Sequence, residues 1–152
     1  MEYNFDGQLG VAIVTAGHSE SRKALDDAAI RNLIARIAHL ADTGDVEDYV
    51  KCFTLEARWD MPGAPRRGHD EIRCGSAARR AAGEAGPGSA TRHVIGTVAV
   101  EVGEDRARTT SYFQFLGQTD TTPRILLVGQ YDDEFARTPD GWRLDHRRIT
   151  LG

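Results

Sequence analysis

Histidines, cysteines, carboxylates, tyrosines and arginines are the residues of this 152-residue chain that could do chemistry, and their spacing removes several kinds at once. His18, His39, His69, His93 and His146 form no H-x-x-x-H or H-E-x-x-H pattern, and none pairs with Cys52 or Cys74 at ligand spacing, so no metal site is expected. There is no phosphate-cradling glycine loop and no G-x-S-x-G elbow to raise a serine nucleophile. Acid–base chemistry remains. Histidine titrates near ~6.5, so a neutral imidazole can take a proton at physiological pH. His93 is the unusual one. It sits in "ATRHVIGTVAVEV", Ala90 to Val102, a run with the composition of a β-strand. Alternation puts Val94, Val98, Val100 and Val102 on one face and Thr91, His93, Ile95, Thr97 and Ala99 on the other. The smaller, mixed face lines a pocket or packs on a helix, with His93 then a structural residue. Asp42 is a second oddity. It ends a helical pattern, where the macrodipole disfavours a carboxylate, yet it also opens the turn "DTGD", where aspartate is common.

The elements that carry these residues are legible from periodicity. Apolar Ile30, Leu33, Ile34, Ile37, Leu40 and Ala41 predict a helix capped by Asp26 or Asp27 and stopped at Gly44. Residues 1–20, dotted with glycine, read as an N-terminal arm, and residues 21–152 as one domain. "DVEDYVKCF" is a short second helix capped by Asp45, and "EARWDM" a strand closed by the Pro62-Gly63 turn. "HDEIRCGSAARRAAG" is a third helix. After it come four strands, with turns at Gly103 and at Pro139-Asp140-Gly141. Helices followed by an antiparallel run give an α+β fold, a curved sheet with helices on its concave face.

Composition narrows the partners. A net charge of −4 argues against nucleic acid and against an anionic membrane surface, both of which need a basic face. No apolar run reaches the ~18 residues of a membrane span, and the N-terminus lacks the basic region of a signal peptide. Two cysteines without a disulfide framework fit a reducing compartment, so the cytoplasm is expected.

"AAIRNLIARIAHLADTGD" with "CF" soon after, then "ATRHVIG", then "GQYDDEFARTPDGWRLDHRR" resemble, in that order, the SnoaL-like proteins of the nuclear transport factor 2-like superfamily. The resemblance runs from Asp26 to Leu151. Polyketide cyclases, scytalone dehydratase, bile-acid dehydratase, hexachlorocyclohexane dehydrochlorinase and dioxygenase β subunits belong to that group. The resemblance implies a cone-shaped fold, three N-terminal helices on a strongly curved, mostly antiparallel sheet, and association into a homodimer or homotrimer. It also implies that His93 is a general base facing a cavity, with Asp42 beside it, 51 positions earlier in the chain. A buried aspartate of this kind fixes the imidazole tautomer and stabilises the imidazolium. Arg147, five residues after Trp142, matches an arginine that assists a departing anion, with Arg148 as the alternative if the match slips by one. Trp59 matches an aromatic of the same branch, as wall or as core.

Departures from the scytalone-dehydratase pattern are Ala41 where a tyrosine precedes the aspartate, and Tyr112 and Gln114 where a later strand carries a histidine. Tyr112 and Gln114 are therefore candidates for polar contacts to the substrate, and Gln130 and Tyr131 are further candidate donors whose inner face parity leaves open. The expected activity is a cofactor-independent lyase or isomerase acting on a hydrophobic cyclic or polyketide-like molecule. The alternative is a binding or scaffold module with the same cavity.

Overall fold

The apolar spacing of Ile30, Ile34 and Ile37 becomes one buried stripe of α1 (Gly7–Thr43). A computed structural model describes the backbone of residues 7–152 and the side chains of residues 17–152. Of the arm expected over residues 1–20, residues 1–6 lie outside the described residues. From Gly7 onward the backbone is continuous with α1. The helix thus starts well before the expected cap at Asp26, because Glu20, Arg22, Lys23, Ala24 and Leu25 are strong helix formers with no breaker among them. Asp26 has other work: its Oδ2 accepts from Arg137 Nη2 (2.5 Å) and its Oδ1 from the Trp142 indole (3.0 Å). The C-terminus falls where Gly44 predicts it. The Gly44 N–H returns to the Leu40 carbonyl, and Arg80 donates to the carbonyls of Gly44 and Leu40. That guanidinium offsets the unfavourable placement of Asp42 at the negative end of the helix.

α2 (Val46–Val50) is a single turn whose cap Asp45 accepts from the backbone of Glu47 and Asp48. β1 (Phe53–Asp60) and the two-residue β2 (Arg66–Arg67), which periodicity does not announce, lead into α3 (Gly68–Ala81). Only α1 and α2 therefore precede the sheet, so the helices are not one N-terminal block. β3 (Arg92–Val102), β4 (Arg106–Gly117), β5 (Arg124–Thr138) and β6 (Gly141–Leu151) form an antiparallel meander. β1 joins β6 in parallel, which makes a six-stranded mixed sheet in the order β2-β1-β6-β5-β4-β3. α1 lies along β3 and α3 along β1. Phe135, Leu144, Ile30 and Val50 fill the space between sheet and helices.

Two irregularities decide which side chains face inward. In β3 the register slips between Gly96 and Ala99, and Thr97 takes a positive φ of 52°. His93 and Ile95 face inward before the bulge, and Val98, Val100 and Val102 after it. Strict alternation would have put His93 and Val98 on opposite faces. In β6 the register slips at Asp145, so Phe135 opposes Leu144 but Asp133 opposes Arg147.

Candidate active site

The concave face of the sheet and the helices enclose a cavity with two adjoining compartments, an inner one of about 50 Å³ and an outer one of about 380 Å³. Trp59, Arg66, Arg79, His93 and Tyr131 border both. The outer volume is in the range of small-molecule sites, which usually span ~300–1,000 Å³.

His93 reaches this wall from β3, and Asp42 stands behind its ring at the end of α1. Nδ1–H of His93 donates to Asp42 Oδ1 (2.6 Å), and the His93 backbone N–H donates to Oδ2 (2.8 Å). Both carboxylate oxygens are thus spent on one residue. Asp42 is buried, and 12% of the His93 side chain is exposed. An ionised Asp42 selects the tautomer with its proton on Nδ1, which leaves Nε2 as a lone-pair acceptor. Nε2 has no hydrogen-bond partner among the described residues. The imidazole rests on Phe115, with ring centroids 4.5 Å apart.

Tyr131 and Trp59 are also in the wall. Tyr131 stacks on Phe113 at 4.3 Å, and burial pushes its hydroxyl up to about 12, so it stays protonated at neutral pH and can offer a hydrogen bond. Arg147, not Arg148, is the inward residue. It makes a two-pronged pair with Asp133 through Nε (2.8 Å) and Nη2 (2.7 Å), and its guanidinium lies 3.9 Å from the Tyr131 ring centroid. Burial alone would lower the pKa of Arg147, but the charge and hydrogen bonds of Asp133 prevail and hold it above the ordinary value.

Tyr112, Gln114 and Gln130 do not reach the cavity. Phe113 and Phe115 face inward from β4, so Tyr112, 55% exposed, and Gln114 project from the convex side. Gln130, beside Tyr112 across the β4–β5 pair, faces the same way and donates to Asp132 (3.0 Å). Period-two parity requires this once the phenylalanines are recognised as core. His146 also meets a carboxylate: Nε2 lies 2.7 Å from Asp60 Oδ2. That pair borders no part of the cavity. His39 is exposed, as its position opposite the apolar stripe implies.

Sequence reasoning missed Tyr49, Arg66, Arg79 and Asp133. Tyr49 is buried, and burial raises its hydroxyl pKa. Arg66 and Arg79 read as members of a solvated arginine cluster, and no local signal sets them apart. Asp133 could be found only by placing the β6 bulge.

A curved mixed sheet covered by helices, with a histidine–aspartate pair in the wall of the enclosed cavity, defines a protein of the nuclear transport factor 2-like fold. The SnoaL-like domain family matches residues 22–148, and the chain belongs to it. It is similar to a nuclear transport factor 2-like protein with a cystatin-like fold from Novosphingobium aromaticivorans, at 27% identity and TM-score 0.80, over 90% of this chain and 88% of that one. It is also similar to the Kfla4162 protein from Kribbella flavida, at 27% identity and TM-score 0.72, over 86% and 93% of the two chains. A candidate scytalone dehydratase from Novosphingobium aromaticivorans shares the fold, at 17% identity and TM-score 0.70, over 88% of each chain. No functionally curated protein matches the sequence.

Proposed function

We propose that this protein is a cofactor-independent lyase or isomerase for a hydrophobic, cyclic or polyketide-like small molecule, with His93 as its general base. The observation that carries the reading is the 2.6 Å contact from Nδ1 to Asp42, which turns Nε2 into the free acceptor of a ring that borders the cavity. In an elimination, Nε2 takes a proton from a carbon next to the one bearing the leaving group. The C–H electron pair becomes the new double bond, and the leaving group departs with its own bonding pair. For a dehydration the imidazolium returns the proton to the departing hydroxide, so water is the second product. Isomerisation uses the same base, and the proton returns to a different carbon. Asp42 steadies the positive charge that forms on the ring.

Turnover of ring-bearing substrates with an acidic C–H, screened by mass spectrometry, tests this. His93→Ala should lower turnover by about 10²–10⁴-fold. Asp42→Asn should be nearly as damaging, because an amide cannot stabilise the imidazolium. Wild-type activity in His93→Ala would assign the base elsewhere, whereas binding without turnover across the screen would favour the binding-module reading. We place the protein in the cytoplasm as a homodimer or homotrimer. Its free cysteines, Cys52 buried and Cys74 exposed, are compatible with a reducing compartment. Among the described residues, no helix is long and apolar enough to cross a membrane.

A further inference from the structure

Four arginines border the cavity of a chain whose net charge is −4. Two have their charges or donors taken up. Arg147 is neutralised by Asp133, and Arg80 donates to the carbonyls that end α1 and to Ser76. The other two are not so held. Arg66 leaves β2, crosses α3 at Gly75 and lies over the Trp59 ring, 4.6 Å from its centroid. It has no carboxylate at ion-pair distance among the described residues, and burial lowers its pKa from the ordinary value. Arg79 lies 5.5 Å from the Phe115 centroid, and its only carboxylate neighbour among the described residues is Glu84 at 3.9 Å, a side chain 64% exposed. The remaining acids near the cavity, Asp42 and Asp133, are spent on His93 and Arg147.

We propose that Arg66 and Arg79 form a carboxylate-binding subsite, so that the ligand of this cavity is an apolar ring compound carrying one carboxylate. Two guanidiniums that repel one another, partly desolvated against indole and phenyl faces, are an unfavourable arrangement without an anion. A guanidinium stacked on a ring keeps its N–H edge free, and that planar edge matches the two oxygens of a carboxylate. The aromatic residues Trp59, Phe113 and Phe115 supply the surface for the apolar body. Phe115 lies against both His93, at 4.5 Å between ring centroids, and Arg79, at 5.5 Å, so the acid group sits near the base. Gly75 belongs to this device. A Cβ there would collide with Nε, Cζ and Cδ of Arg66 and push that side chain off its path over the helix toward Trp59.

The subsite deepens the proposed function by naming a substrate class, and a binding experiment without turnover separates the two. Calorimetric titration of the full chain at about pH 7.5, where a carboxylate is ionised, compares 2-naphthoate with its neutral isostere 2-naphthamide. The wild type should prefer naphthoate by about tenfold or more. Arg66→Gln should bring the two probes within about twofold of each other. Gly75→Ala keeps every charge and suits a helix better, yet by displacing Arg66 it should erode the same preference. The melting temperature of each variant confirms that it is folded. His93→Ala should retain the preference while losing turnover, so loss of the base and loss of the subsite read differently. Equal affinity for the two probes in the wild type, no binding of either, or a preference that survives the Arg66→Gln, Arg79→Gln double variant overturns the proposal. So does a preference lost with His93 and not with Arg66, because the anion would then rest on the imidazole.

Discussion

Asp133 is as instructive as Asp42, since both are buried carboxylates and each is committed to one partner. Asp42 holds a ring that can still accept a proton, whereas Asp133 holds a guanidinium that is already charged. The role implied for Arg147, assistance to a departing anion, therefore competes with a structural one. Its Nε and Nη2 are occupied, and what it offers the inner compartment is a neutralised ion pair stacked on Tyr131. Removing one member of a buried pair strands the other, at a cost of about 3–5 kcal/mol. Arg147→Ala should destabilise the fold by roughly that amount in urea melts, and Arg147→Met with Asp133→Leu should recover most of the loss. If Arg147→Ala melts like the wild type, Asp133 has found another partner and the pair is not structural. This prediction also governs how activity is read, because turnover by Arg147→Ala reports on catalysis only where the variant is folded.

Between elements, a polar clamp ties α1 to the β5–β6 hairpin. Asp26 receives Arg137 from β5 and the Trp142 indole from β6, and Arg137 lies 4.4 Å over the Trp142 ring. Its hydrogen bond with Arg137, more than any other influence, holds the Asp26 carboxyl below the ordinary aspartate value. The sign follows from that direction. The unfolded aspartate, with a pKa near ~3.9, takes up a proton before the folded one does. The clamp's contribution is therefore complete above about pH 5 and fades as the pH falls through ~4 toward the folded value. Asp26→Asn should cost about 1.5–3 kcal/mol at neutral pH, as hydrogen bonds to charged groups do. The gap between wild-type and variant stability, followed by thermal melts from about pH 6 to 3, should close on acidification. A gap that stays constant would mean that the carboxylate's charge contributes nothing to the clamp.

At the scale of the molecule, the convex side of the sheet is the surface left uncovered. Val94, Tyr112 and Val128, 43–55% exposed, cluster there across β3, β4 and β5. The proposed homodimer or homotrimer would bury this patch. Sedimentation should show an oligomer, and Tyr112→Asp should weaken it by at least about tenfold, since a charge placed in an apolar contact must be desolvated. A monomeric wild type at high concentration would sink this. Tyr112 and Gln114 are candidates from sequence because the resemblance places a histidine on that strand, and Gln130 because parity without the bulges leaves its face open; all three project from the convex side. Periodicity alone determined the register-free facts, because they depend on near neighbours in the chain. These are the buried stripe of α1, its stop at Gly44, the strands after Ala90 and the turn at Pro139-Asp140-Gly141. The order of "LADTGD", "TRHVIG" and "GWRLDHRR" carried the family and brought Asp42 and His93 into consideration together. The inner face of each strand had to come from the tertiary structure. Thr97 and Asp145 each insert one residue into a ladder, and a one-residue slip turns every later side chain over. Counted from the turn without the bulge, Arg147 faces Asp132; with it, Arg147 meets Asp133. Nor did periodicity announce β2, the two-residue strand whose pairing sets Arg66 opposite Trp59. The path of the Arg66 side chain past Gly75 depends on α3, which only the folded chain brings alongside.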